Sequence, residues 1–383
     1  MNRAVGLSAV AGLALAAAVI APAASQAATR PAGHRGSYPG PAGEVFVQTD
    51  ALAGNAVTVY DRAADGTLHA AGTYPTGGLG GQLTGSVADH LSSQGSLAYD
   101  RDSNLLYAVN AGSNTITVFS VYGDHLVRRQ VITSGGAFPV SIAVRGNLVY
   151  VLNARDGGSV QGYARIGATL VAVPSWNRPL GLDPTQTPEF THTPGQVAFT
   201  PDGSKLIVTT KANGDDIDVF SVGPFGGLSA APVVNADPGN VPFGITFDAG
   251  GHLVVAETGI NAIATFTVNR SGTLTLDSRA ATGQAATCWV AGQGALFYAS
   301  NAGSGTVSGY RDDGSGALQA LGNTATDAGT VDAAFAPGGR HLYVETGMAG
   351  IVDEFRVAPG GALTEIGSVT VPDAIGAEGI AAS

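Results

Sequence analysis

Three observations predict an all-β chain built from repeated four-stranded sheets. A short motif recurs seven times between Val45 and Ala382: an apolar triplet, a polar residue, then an alternating stretch ending in Phe or Tyr. A second alternating stretch, closed by a turn, precedes each copy except the first. The composition, with 56 Gly and only 12% charged residues, suits short strands and tight turns. A repeat period in the forties and fifties, carried by strands and Gly-rich turns, is the pattern of a seven-bladed β-propeller.

The chain opens with a basic Asn2-Arg3, an Ala/Leu/Val run from Val5 to Ala24 broken by Pro22, and a small-x-small pattern at Ser25-Gln26-Ala27. These features predict a secretory signal peptide over residues 1–27 and a secreted, extracellular protein. Residues 28–43 hold Pro31, Pro39 and Pro41 with no apolar period, which predicts a flexible lead-in. Residues 44–383 are expected to form one propeller.

The middle residue of each apolar triplet is Phe46, Tyr107, Tyr150, Ile207, Val254, Tyr298 or Tyr343. The preceding strands start at Leu97, Ile142, Val197, Ile245, Trp289, Ala333 and Ile380. Each blade therefore reads as an inner strand, a second strand holding the triplet, a third strand ending in Phe or Tyr, and an outer strand such as Leu228 to Val234. Turns such as Pro201-Asp-Gly-Ser204 join the first two. The ends are out of phase: the first triplet lacks an inner strand, and the last inner strand, Ile380 to Ala382, lacks a second strand. The expected solution is ring closure, with the C-terminal strand joining the N-terminal blade and leaving only short edges.

The net charge is −11, and Lys205 and Lys211 are the only lysines. Such a chain has no electrostatic footprint for nucleic acid or, once its signal is removed, for anionic membranes. A monomer with a small-molecule partner is expected. Cys288 is the only cysteine, so no internal disulfide forms; its place in an inner strand predicts a buried, inert thiol. There is no Gly-x-Ser-x-Gly, no Gly-x-Gly-x-x-Gly, and no His or Cys/His pair at metal-ligand spacing, so neither a cofactor nor a metal is expected.

In a propeller the starts of inner strands and the ends of second strands share one face of the channel. The repeat places Asn110, Asn153 and Asn301 there as turn residues. Glu257, Asp332, Glu378 and Gln196 are not required by the repeat and are the better site candidates. The two longest connections, Tyr74 to Gly95 and Val173 to Gly195, should overhang this rim, bringing His90, His192 and Trp176 with them. His252 and His341 fall on the opposite face and are expected to be solvated.

The segments Thr193-Pro-Gly-Gln-Val-Ala-Phe-Thr-Pro-Asp-Gly203 and Leu105-Leu-Tyr-Ala-Val-Asn-Ala-Gly-Ser-Asn114, with the repeated Gly-x-Leu turns such as Asp65-Gly-Thr-Leu68, resemble the lactonase family of seven-bladed propellers. That family includes 6-phosphogluconolactonases and the cycloisomerase of 3-carboxy-cis,cis-muconate. The resemblance implies lactone hydrolysis or cyclisation. Ring opening needs a base and donors for the developing oxyanion. His192 is the expected base, with Glu257 or Asp332 orienting it or replacing it. Gln196 would bind the carbonyl oxygen and Lys211 a substrate carboxylate, with Glu378, His90 and Trp176 completing the substrate site. The alternative is a non-catalytic extracellular propeller that binds a ligand, glycan or protein on the same face.

Overall fold

The computed structural model describes residues 42–383; the expected signal peptide and most of the expected lead-in lie outside the described residues. Seven antiparallel sheets follow one another along the chain. Blades 2 to 7 each run from inner to outer strand, their inner strands being Leu97–Asp100, Pro139–Arg145, Val197–Phe199, Pro242–Phe247, Thr287–Gln293 and Thr330–Phe335. Blade 1 is composite. Its second to fourth strands are Glu44–Gln48, Ala56–Arg62 and Leu68–Pro75, and its innermost strand is the C-terminal Ile380–Ala382, in register Val45 to Ala382 and Val47 to Ile380. Blade 3 carries an extra two-residue strand, Arg178–Pro179, against its third strand. Neighbouring inner strands contact one another around the ring.

The apolar triplets are the core. Phe46, Tyr107, Tyr150, Ile207, Val254, Tyr298 and Tyr343 are all at most 1% exposed. They sit in second strands, buried on both faces between neighbouring blades, which is why those strands read as continuous apolar runs. The Gly-x-Leu turns serve the same packing. Tyr298 Oη donates to Gly361 O at 2.6 Å, Tyr343 Oη to Gly66 O at 2.7 Å, and Tyr150 Oη to Gly226 O at 2.6 Å, each reaching the turn of the following blade. Gly66 and Gly361 hold φ of +99° and +87°, a region that favours glycine. Asn110 and Asn301 tie the ends of second strands to third strands: Asn110 donates to Thr117 Oγ1 and Asn301 to Ser308 Oγ, both at 2.9 Å.

Candidate functional site

The two long connections do meet on the face where inner strands begin, but they close the channel mouth rather than border it. Residues 93–95 cross it and bond to four blades. The Gln94 side-chain amide brackets Val290 of blade 6, donating to its O at 2.9 Å and accepting from its N at 3.0 Å. Trp289 Nε1 donates to Ser93 O at 2.6 Å, and Ser93 Oγ to Val140 O of blade 3 at 2.9 Å. Gln94 N donates to Gly195 O ahead of blade 4, and Gly95 N to Glu378 Oε1 ahead of the inner strand of blade 1. Ser93 is fully buried and Gln94 is 8% exposed. The expected open polar rim is thus a sealed one, because a connection long enough to span the channel finds backbone partners on its far side.

Beneath and beside this plug lies a group of buried carboxyls. Asp332 and Glu378, expected at an accessible rim, are 5% and 0% exposed and touch each other. Glu378 N donates to Asp50 Oδ2 at 3.0 Å, and Gly379 N to Glu345 Oε2 at 3.0 Å. Burial pushes Asp50 up to about 8 and Asp332 up to about 6. It carries Glu345 and Glu378 well above the usual carboxylate range, with the neighbouring acids adding to the shift. Of these, Asp50, Glu345 and Glu378 keep their protons at neutral pH, while Asp332 releases its own just below it.

Lys211 is 1% exposed and pins the two long connections together. Its Nζ donates to Ser92 O at 2.6 Å, Phe190 O at 2.7 Å and Thr193 Oγ1 at 2.9 Å, and lies 5.1 Å from the centre of the Phe243 ring. Burial lowers the ammonium pKa, and Asp89 opposes that shift. With three donors spent on three acceptors, Lys211 has none left for the substrate carboxylate expected of it.

Glu257 is likewise committed. Its two oxygens accept from Arg279 Nε and Nη2 at 2.5 and 2.6 Å, within blade 5. Its neighbours are Arg279 and Asp237, not the Asp332 and Glu378 group. Gln196 Oε1 accepts from Ile245 N, which ties the amide between the inner strands of blades 4 and 5 and sets its Nε2 beside Gly95 of the plug. Trp176 lies on the flank of blade 3, stacked on Tyr150 with centroids 6.2 Å apart and packed over Gly226 and Gly227. The 3-10 turn Pro174–Trp176 ends against its own blade before the connection crosses to the channel face.

The two candidate histidines line different clefts. His90 borders an open depression of about 810 Å³ with Asp50 and Thr370 to Ile375. Its ring sits where a Cβ on Gly376 would be, and burial lowers its pKa. His192 caps the turn Glu189–Thr191 and lines a cleft of about 240 Å³ with Arg155, Asp156, Asp183, Glu189 and Asn213. Its Nδ1 lies 2.8 Å from Pro188 O. A carbonyl only accepts, and Thr191 Oγ1, also 2.8 Å from Nδ1, directs its own proton to the same carbonyl, so in this arrangement the neutral ring carries its proton on Nδ1 and leaves Nε2 as the basic nitrogen. Asn213 donates to His192 O at 2.9 Å and Asp183 O at 2.7 Å, fixing both walls of the cleft. Arg155 Nε donates to Glu189 Oε1 at 2.6 Å, and this bond, with Thr84 N on the other oxygen, holds Glu189 down at about 2.

On the opposite face, His341 is 8% exposed against Gly66 rather than solvated, because the turn glycine leaves room for its ring. His252 Nδ1 lies 2.6 Å from Asp248 Oδ2. Among the described residues, Asp248, His252 and Asp312 are the one group close enough to hold a metal ion, with ligand atoms within 4.8 Å. Their oxygens are engaged within the protein: Asp248 Oδ1 by His252 N, and Asp312 Oδ1 by Gly314 N and Gly316 N.

Sequence reasoning missed Asp89, Ser93, Gln94, Arg155 and Asn213. The length of the Tyr74 to Gly95 connection was the available signal for the first three; Arg155 and Asn213 follow second strands in ordinary loops and carried none.

Seven sheets, six of four strands and one of five, closed by the C-terminal strand and with clefts on the face of the long connections, define a seven-bladed β-propeller with small-molecule-sized sites. Residues 52–170 match the family model described as lactonase, 7-bladed beta-propeller. No curated protein matches the chain. Among solved structures, the periplasmic gluconolactonase of Pseudomonas aeruginosa superposes with a TM-score of 0.70 at 18% identity, over 89% of this chain and 98% of that one. A candidate 6-phosphogluconolactonase of Bacteroides fragilis gives 0.69 at 18% identity, over 89% and 98%. The virginiamycin B lyase of Staphylococcus aureus gives 0.54 at 14%, over 76% and 89%. At these identities the likeness is one of fold.

Proposed function

We propose that this chain is a secreted, monomeric lactonase-type hydrolase that opens a small polar lactone in the cleft beside His192. The observation that carries the reading is the His192 ring itself: half-buried, oriented through Nδ1 by the Pro188 carbonyl, and presenting Nε2 as a base in a cleft rich in polar groups. A base so held takes a proton from water as the water attacks the ester carbon. Arg155, 40% exposed at its side chain, borders the same space, while Asn213 spends both amide protons on Asp183 O and His192 O and serves as a wall. Partial positive charge there stabilises the oxyanion as the ring opens. The family match and the gluconolactonase among the structural neighbours support the choice of a lactone.

The second reading is a binding propeller without turnover. It is favoured by the commitment of Glu257 and Lys211 to protein partners and by the sealed channel. Proton release from a panel of sugar, aliphatic and muconolactones separates the two. Turnover by the mature protein that falls by roughly 10²–10⁴ in His192→Ala supports hydrolysis at this cleft. Saturable binding with no turnover supports the second reading.

A further inference from the structure

We infer that a second cleft on the same face, between the long connections and the loops of blades 5, 6 and 7, binds a small uncharged molecule that is apolar except for one hydrogen-bonding group. The cleft has a volume of about 310 Å³, roughly ten times the share of a water molecule in the liquid. Phe190, Phe243 and Trp289 form its aromatic walls; the last two meet edge to face at 5.1 Å and are each 4% exposed. Val87 and Met348 also line it, at 66% and 48% exposure. Large apolar side chains left open around an apolar hollow mark a contact surface.

The charged groups of the wall are spent. Asp89 accepts from Leu91 N at 2.7 Å and Ser93 N at 2.8 Å, Lys211 has no free donor, and Trp289 Nε1 is held by Ser93 O. An anion entering here meets no available donor and a cation no available carboxylate, so either loses its hydration uncompensated. The polar exception is Thr258, whose hydroxyl lies beside the Cys288 thiol and makes no well-formed hydrogen bond. One ligand hydroxyl or carbonyl would satisfy it. The plug bonds hold these walls in place without a ligand, so little ordering accompanies entry. No residue lines both this cleft and the one beside His192, although Phe190 and His192 belong to the same short segment.

Straight-chain primary alcohols from butanol to octanol are the test, read by tryptophan fluorescence in a Trp176→Phe protein, where Trp289 is the sole tryptophan. Affinity should rise about fourfold per methylene until the cleft is filled. The carboxylate of equal length should bind at least about tenfold more weakly. Thr258→Val should weaken alcohols about fivefold while leaving toluene unchanged. Ala302→Phe should fill the cleft and abolish binding, and His192→Ala should leave it intact. The inference is overturned by folded protein that shows no fluorescence change and no calorimetric heat with octanol. Carboxylates binding as well as alcohols, or alcohol binding lost in His192→Ala, would also overturn it.

Discussion

Replacing Lys211 by Met removes the charge that joins the two long connections while keeping the length of the side chain. Phe190 O retains the Ser92 Oγ donor at 2.8 Å, whereas Ser92 O and Thr193 Oγ1 lose the Lys211 hydrogen bonds. Each orphaned buried group costs about 1–3 kcal/mol. Asp89 also loses the ammonium that opposes its burial. Two orphaned groups at the low end of that range cost about 2 kcal/mol, and the unopposed buried carboxylate adds a similar amount. The expected destabilisation is therefore about 4 kcal/mol at pH 7, where Lys211 still carries charge beside the Asp89 carboxylate. It should shrink to about 2 kcal/mol at pH 5, where Asp89 takes up a proton and only the hydrogen-bond share remains. Urea unfolding at both pH values measures the loss, and limited proteolysis should gain cuts within residues 76–95 and 173–195. A loss below about 1 kcal/mol at pH 7 with no new cuts would refute the staple role.

Further outcomes follow from the same geometry. Deleting the residues after Ala377 removes the inner strand of blade 1 and should unfold the ring cooperatively; an unchanged melting temperature would show that closure contributes nothing. Arg279→Met should cost about 3–5 kcal/mol by stranding Glu257, which is 0% exposed, and adding Glu257→Met should restore most of it, read by urea unfolding of the single and double variants. Stability should fall as pH rises from 5 to 7. Asp332 and Glu354, raised to about 6 and 7, hold protons in the fold that the unfolded chain has released above about 4. Glu189, at about 2, acts only below that window, and Lys211 acts in the opposite sense only above pH 7. A urea midpoint that rises between pH 5 and 7 would contradict this assignment of the protonated carboxyls.

The fold was legible because the propeller writes one local pattern seven times: second-strand residues such as Tyr107, Tyr298 and Tyr343 are buried on both faces whatever the neighbouring blade contains. Ring closure was legible from the phase of Phe46 against Ile380. The site was legible only as far as loop length reaches. The connections of His90 and His192 were correctly placed on one face, but Gln94 meeting Val290 across the channel is a tertiary contact with no local trace. Glu257 looked free of the repeat because its reason for being there, Arg279, sits two strands away in the same blade. Trp176 was drawn toward the rim by its connection, yet Tyr150 captures it first.

The most direct test of a lactone site beside His192 is a crystal structure of the mature protein with a sugar lactam, a ring that resists opening. The expected result places the lactam in the cleft of Arg155, Asn213 and His192, with Nε2 within reach of a water at its carbonyl face. A lactam seated in the apolar cleft under Trp289, or in the depression beside His90 while His192 stays unoccupied, would contradict it.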